Sequence, residues 1–129
     1  MTQPRWIDRR ALELLHDEGL VEHGGSPGLR DDNLLESPLA RPKNVFAYEG
    51  VTDISRLAAS YAYGIARNHP FVDDNKRTAF IAAALFMTLN GLKLEVDQVD
   101  AYNTVVGLAA GDVDEAGFAD WLRRNSRNR

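Results

Sequence analysis

The sequence predicts an all-α protein, and three observations lead to that class. Apolar residues recur at helical spacing along most of the 129 residues. Aspartates stand directly before several of these segments, where a carboxylate can cap a helix. Only residues 92–96 alternate apolar and polar side chains as a strand does. We therefore expect a compact helical bundle around a central apolar helix, forming a single domain over residues 1–129.

The N-terminal third is expected to hold two helices separated by a turn-rich loop. The first helix spans residues 7–18, with Gly19 as its stop. The second is short, over residues 31–40, because Arg41-Pro42 should break it. Residues 44–51 then read as an extended or loop-like segment that carries Phe46 and Tyr48.

The remaining helices are marked by caps and stops. Asp53 precedes a helix that ends near Asn68, and it buries apolar residues at helical spacing. Residues 75–90 are apolar on nearly every side, which is typical of the central helix of a bundle. Asp97 and Asp114 are expected to cap the last two helices.

Composition excludes several classes of protein. Hydrophobic residues make up 44% and charged residues 26%, which indicates a globular chain rather than a disordered one. The net charge of −4 argues against direct, non-specific nucleic-acid binding. Cysteine is absent, which excludes disulfides and thiolate metal sites. The longest apolar run, residues 79–87, is too short to span a membrane, and the N-terminus lacks the apolar core of a signal peptide. We expect a cytoplasmic protein with no membrane partner.

The segment from His69 to Arg77, His-Pro-Phe-Val-Asp-Asp-Asn-Lys-Arg, carries most of the chemistry. It joins a predicted loop to a predicted helix start, where free backbone N–H groups and the helix dipole favour an anion. Lys76 and Arg77 are poorly placed there unless they bind a negative ligand. A purely local interpretation remains open, in which His-Pro ends one helix and Asp-Asp-Asn caps the next.

These residues resemble the signature of the Fic superfamily, and within it the death-on-curing (Doc) branch. The Fic signature reads H-P-F-x-x-G-N-G-R-x-x-R, and the Doc version reads H-x-F-x-[D/N]-x-N-K-R. This chain matches the Doc version at all six fixed positions: His69, Phe71, Asp73, Asn75, Lys76 and Arg77. Residues 24–31, 66–68 and 89–91 also look similar to that branch, so the resemblance covers most of the chain.

The departures from other Fic enzymes bear on the reaction. Asp74 and Lys76 stand where the Fic signature has glycines, and Phe80 stands where it has its second arginine. A glycine lets a phosphate approach the backbone closely, whereas a lysine fills that space and adds a charge. The resemblance therefore implies phosphate transfer from ATP, with Mg²⁺, to a translation factor like elongation factor Tu, rather than transfer of AMP.

The resemblance also assigns roles to individual residues. His69 would be the general base for the target hydroxyl, since imidazole exchanges protons near neutral pH. Asp73 would bind Mg²⁺, although a plain helix cap is the alternative. Asn75, Lys76 and Arg77 would hold phosphate oxygens. Phe71 is expected to be a buried anchor, and His16 and His23 are expected to be ordinary helix and loop residues.

A growth-arresting toxin of this branch also implies a partner that restrains it. The self-inhibitory pattern [S/T]-x-x-x-E-[G/N] is absent from the sequence. We expect a cognate antitoxin whose disordered tail folds on binding, in a groove lined by the stretch from Phe46 to Tyr48 and the first helix. The arginines near the C-terminus are expected to be solvated at a helix end, with partner docking as the alternative.

Two other functions remain open. The chain could be an adenylyltransferase of the wider Fic type, although Lys76 and the missing second arginine argue against it. It could also be an inactive scaffold that binds a nucleotide or a partner, although the intact His69, Asp73 and Arg77 argue against that.

Overall fold

The computed structural model describes residues 3–129, which form six helices and two short strands. The helices are α1 (Arg9–His23), α2 (Asp32–Glu49), α3 (Ile54–Asn68), α4 (Asn75–Leu89), α5 (Gln98–Ala110) and α6 (Glu115–Arg124). The strands are β1 (Leu92–Leu94) and β2 (Ser126–Asn128). The all-α prediction is confirmed.

Aspartate caps begin the helices where the sequence predicts them. The Asp53 side chain accepts a hydrogen bond from the Ser55 N–H at 3.0 Å. Asp97 and Asp114 do the same one turn into α5 and α6. Each cap satisfies an N–H group that the first turn of a helix leaves without an intrahelical partner.

The stop expected at Gly19 is wrong, because α1 continues to His23 and Gly24 is its C-cap. Gly19 is buried inside the helix. A Cβ built there would lie 3.0 Å from Asp74 Oδ2 and 3.1 Å from Arg77 Nε. Gly19 is therefore needed for close packing of α1 on the start of α4, not for ending a helix.

The break expected at Arg41-Pro42 and the extended segment 44–51 are also wrong. α2 runs unbroken through Pro38 and Pro42, and it ends at Gly50 in the left-handed conformation. Pro38 cannot donate to the Leu34 carbonyl, but Asn68 Nδ2 donates to that oxygen at 3.3 Å. Tertiary packing thus compensates for a helix breaker that local sequence rules count against the helix.

The most enclosed helix is α3, not the apolar α4 that the sequence favours. Ten residues of α3 are buried, and it packs against α2, α4, α5 and α6. Small side chains allow these close contacts: a Cβ at Gly64 would lie 2.9 Å from Pro38 Cβ. α4 lies beside α3 and buries Ala79, Phe86 and Met87 in the same core.

Tyr61 connects this core to the N-terminal segment. Its ring is fully buried against Phe86, with 5.1 Å between ring centroids. Its hydroxyl accepts a hydrogen bond from the Ile7 N–H at 3.1 Å. Burial raises the pKa of Tyr61 to about 12, because the phenolate would lose its hydration.

The strand expected near residues 92–96 forms as β1, and its partner is β2, which the sequence does not reveal. This antiparallel pair holds the C-terminus beside the end of α4, where Arg129 Nη1 donates to the Thr88 carbonyl at 2.8 Å. Arg127 bonds Glu95, and Arg123 bonds both Asp53 and Asp120. These three arginines therefore bind acceptors of their own chain.

No helix in residues 3–129 combines the length and apolar character needed to cross a lipid bilayer.

Candidate active site

The candidate site is the loop that joins α3 to α4. The loop has a left-handed residue at each end: His69 has φ 49° and Asp74 has φ 68°. Such angles are uncommon for residues other than glycine and are kept only where the surroundings hold them. The loop is therefore held in shape by contacts outside itself.

Residues 28–30 provide part of that support. Leu29 forms an antiparallel bridge with Phe71. The Arg30 N–H donates to the Pro70 carbonyl at 2.8 Å, and the Val72 N–H donates to the Gly28 carbonyl at 2.9 Å. The turn-rich segment after α1 thus acts as a short strand that fixes the backbone of the loop.

His69 lies at the mouth of this loop, and its side chain is exposed. Its N–H donates to the Ile65 carbonyl at 3.1 Å, which ends α3. Its carbonyl accepts from Arg30 Nη1 at 2.9 Å. The backbone of His69 is fixed on both sides while the imidazole stays accessible, as a base acting on another protein's hydroxyl requires.

Asp73 follows four residues later and is also exposed. Its Oδ1 accepts from the Asp74 N–H at 2.9 Å, and its Oδ2 accepts from the Ser26 N–H at 3.3 Å. Gly25 makes this approach possible, since a Cβ there would lie 3.0 Å from Asp73 Oδ2. Asp74, not Asp73, occupies the N-cap position of α4, and its side chain makes no capping bond.

The donor set around Asp73 fits Mg²⁺ only in one arrangement. Within residues 3–129, no group of three or more His, Cys, Asp or Glu side chains could hold a metal ion. Asp73 is a single carboxylate whose oxygens each keep a free lone pair beyond the bonds above. Mg²⁺ bound by one carboxylate, nucleotide phosphates and water is a usual arrangement, so the residues fit that ion.

Asn75 is buried at the first position of α4, and its amide is used inside the loop. Its Oδ1 accepts from the Phe71 N–H and its Nδ2 donates to the Phe71 carbonyl, both at 2.9 Å. This pair of hydrogen bonds joins the loop to the start of the helix. The Asn75 side chain keeps one N–H donor on Nδ2 and one lone pair on Oδ1 beyond these bonds. A phosphate contact from Asn75 stays a prediction.

The first turn of α4 offers an anion site. Its first internal backbone bond is from the Thr78 N–H to the Asp74 carbonyl at 3.1 Å. Within the described chain, the N–H groups of residues 75–77 make no backbone hydrogen bond. Lys76 is exposed beside them, and Arg77 is partly exposed. Free donors, the positive helix end and two cations together favour a phosphate group.

The Nε edge of Arg77 is buried beside the Asp74 carboxylate. Its Nε lies 3.9 Å from Asp74 Oδ2, and both atoms are buried without a hydrogen-bond partner among residues 3–129. The backbone of Gly19 in α1 covers them. The inner edge of the guanidinium thus faces protein.

His16 also contacts the candidate loop, which its sequence context did not predict. It is not an ordinary helix residue: it is 1% exposed, its ring stacks on Phe71 at 3.8 Å between centroids, and its Nε2 lies 2.9 Å from the Asp73 carbonyl oxygen. Phe71 is the buried anchor that the sequence predicts. The available signal was spacing, since His16 falls on the buried face of α1 with Leu12 and Gly19.

Two shallow clefts lie away from this loop, one along α2 and one between α2, α3 and α6. Their volumes are about 380 and 320 Å³, and Arg41, Val45 and Glu49 line both. Tyr48, which is 85% exposed, lines the first cleft. Phe46 instead packs edge-on against Trp6, with 5.7 Å between ring centroids. The antitoxin groove expected around these aromatics stays a prediction.

Comparison with known proteins identifies the family. The family model described as Fic/DOC matches residues 6–87, which include the whole loop and α4 up to Met87. This chain belongs to the Fic/Doc family. The Doc branch is supported by two relatives that carry the name. The "Protein kinase doc" of Escherichia phage P1 is 38% identical over 120 residues, which cover 93% of this chain and 94% of the relative.

The second relative is more distant. The "Toxin Doc" of Mycolicibacterium smegmatis is 35% identical over 111 residues, covering 78% of this chain and 85% of the relative. Because both alignments cover more of this chain than the family model does, they extend past residue 87 into its C-terminal part. The resemblance seen in the motif at His69–Arg77 is therefore confirmed.

Proposed function

We propose that this Doc-branch protein is the toxin of a toxin–antitoxin pair, and that it transfers the γ-phosphate of ATP to a hydroxyl of a translation factor like elongation factor Tu. The observation that carries the proposal is the open first turn of α4, where Lys76 and Arg77 follow the exposed Asp73 by three and four residues. The names of the relatives, a protein kinase and a toxin, support it.

In this proposal His69 is the catalytic base. It accepts the proton of the target hydroxyl while that oxygen forms a bond to the γ-phosphorus. The bond from that phosphorus to the bridging oxygen breaks, and ADP leaves with the electron pair. The exposed imidazole suits a target that is itself a folded protein.

The start of α4 holds the nucleotide in place. Lys76 and the outer edge of the Arg77 guanidinium bind phosphate oxygens, together with the free N–H groups of the first turn. Bound Mg²⁺ would neutralise phosphate charge, with Asp73 as its protein ligand. The remaining task of these residues is to position the nucleotide, because phosphate transfer depends mainly on positioning and charge stabilisation.

AMP transfer is the second candidate, and the structure adds one observation against it. Phe80 stands where the Fic signature has its second arginine. Its ring is partly buried and lies 6.5 Å from Trp121 of α6, between ring centroids. Phe80 thus packs against the core. An inactive scaffold is the third candidate, disfavoured by the exposed His69 and Asp73.

The test compares growth arrest by the wild-type protein and by a variant that lacks the His69 side chain. Expressed alone, the chain should arrest growth of its host cell. Co-expressed with the neighbouring open reading frame, it should be harmless and co-purify with that product. His69→Ala should abolish arrest and phosphate transfer while keeping the wild-type melting temperature, because His69 is exposed. Arrest by His69→Ala at equal expression would refute the role of the base.

A further inference from the structure

His16 is a buried polar side chain that reaches the candidate site from a different element. It projects from the middle of α1 and is 1% exposed. Its ring lies nearly parallel to that of Phe71, at 14° between planes and 3.8 Å between centroids. The stack fixes the plane of the His16 ring.

The polar contact of His16 is to the backbone of the loop. Nε2 lies 2.9 Å from the carbonyl oxygen of Asp73. Because a carbonyl oxygen can only accept, Nε2 must carry the hydrogen of this bond. Nδ1 faces Asp17, with 3.5 Å to its Oδ1. His16 therefore acts on the loop as a donor.

The peptide group between Asp73 and Asp74 links this bond to the Asp73 carboxylate. The peptide is trans, so its C=O and N–H point in opposite directions. Its C=O accepts from His16, and its N–H donates to Asp73 Oδ1 at 2.9 Å. Rotation of this peptide would break both bonds at once, so the bond from α1 helps to fix the direction of the carboxylate, together with the Ser26 N–H that donates to Asp73 Oδ2 at 3.3 Å.

We propose that His16 is a positioning residue for phosphate transfer: its Nε2–H orients the Asp73–Asp74 peptide, and through it the Asp73 carboxylate toward Mg²⁺. The inference rests on the proposed function because it takes Asp73 to be the Mg²⁺ ligand. The hydrogen bond from His16 does not depend on that function. His16 lies beneath the loop, so its effect passes through Asp73.

Two substitutions separate the hydrogen bond from the packing. His16→Gln keeps an N–H donor at about the distance of Nε2 and loses the aromatic stack. His16→Phe keeps the stack and loses the donor. The measurement is the rate of phosphate transfer to purified elongation factor Tu against Mg²⁺ concentration, at saturating ATP, with a thermal melt of each variant.

We expect the two variants to differ in their Mg²⁺ dependence. His16→Phe should raise the Mg²⁺ concentration for half-maximal rate by about tenfold, because the Asp73 carbonyl loses its donor from His16. His16→Gln should stay within about twofold of wild type even if its melting temperature falls. If His16→Phe matches wild type, or if both variants shift equally, the hydrogen bond does not position Asp73 and the proposal is wrong.

A second measurement needs neither catalysis nor the variants. Nitrogen-15 NMR of the wild-type histidines should show His16 protonated at Nε2, with a signal that moves when Mg²⁺ and ADP are added, while His23 stays unchanged as the control. An unprotonated Nε2, or no movement on saturation, would overturn the proposal. If wild type transfers no phosphate, the proposed function fails, and this signal alone decides the role of His16.

Discussion

At the scale of single residues, the site depends on neighbours that do no chemistry. Asn75 closes the loop on Phe71, and Arg30 holds the carbonyl of His69. Gly19 leaves room for Arg77. These contacts keep two strained residues, His69 and Asp74, in place and leave the side chains of His69 and Asp73, which we propose to be functional, exposed.

Gly19→Ala should separate activity from stability. Alanine favours a helix interior over glycine by about 0.5–1 kcal/mol, and the new Cβ would press on the side chains of Asp74 and Arg77, both of which can move. We expect an unchanged or higher melting temperature and a transfer rate lower by about tenfold, because the guanidinium is displaced. Glu18→Ala, on the exposed side of α1, is the control. An unaltered rate in Gly19→Ala would show that this contact does not place Arg77.

At the scale of elements, the contact between α2 and α3 shows what the sequence could and could not predict. Caps, stops and helical spacing predicted α3, α4, α5 and α6 closely, since these signals are local. The course of α2 through Pro38 and Pro42 was not predictable, because Asn68, thirty residues away from Pro38, supplies the missing donor.

The candidate site shows the same contrast between local signals and contacts between distant residues. The motif His69–Arg77 was readable because its residues are contiguous. The support from α1 was not, because His16 and Gly19 reach the loop only through tertiary packing, and neither lies in a recognisable motif.

Gly64→Ala tests the packing of these two helices by the sign of its effect. In an unobstructed helix the change would stabilise the protein by about 0.5–1 kcal/mol. Here the new Cβ would lie 2.9 Å from Pro38 Cβ and 3.1 Å from Pro38 Cα, and a backbone atom cannot move aside cheaply. We expect the free energy of unfolding in urea to fall by about 1–3 kcal/mol. A rise would mean that the helices are not so close.

Tyr61 makes α3 sensitive to alkali. Its pKa of about 12 in the folded protein exceeds the value of about 10 in the unfolded chain, so the folded state binds more protons between these values. Its stabilising contribution is complete below about pH 10 and is lost as the pH rises toward 12.

Tyr61→Phe isolates that contribution, because other alkaline effects are shared by both proteins. Below about pH 10, the variant should be less stable in urea by about 1 kcal/mol, since the Ile7 N–H loses its acceptor. The difference should shrink as the pH rises past 10. A difference that stays constant up to about pH 11.5 would show that Tyr61 is not desolvated in the folded state.

At the scale of the whole molecule, the fold presents the candidate loop at the surface of a packed helical core. α3 and α4 flank the loop, α1 and residues 28–30 support it, and the C-terminus is tied back to α4 by β2. With the net charge of −4, the cations at the start of α4 are a local feature of an acidic protein. This arrangement suits a nucleotide more than a nucleic acid.

Phosphate transfer to a translation factor is tested most directly by the mass of the modified target. Purified elongation factor Tu is incubated with the protein, ATP and Mg²⁺, and its intact mass is measured, with His69→Ala as the control. We expect a gain of about 80 Da with wild type and none with the variant. A gain of about 329 Da would show AMP transfer instead. No gain, from a chain that cells also tolerate at high expression, would contradict the kinase and toxin assignments together.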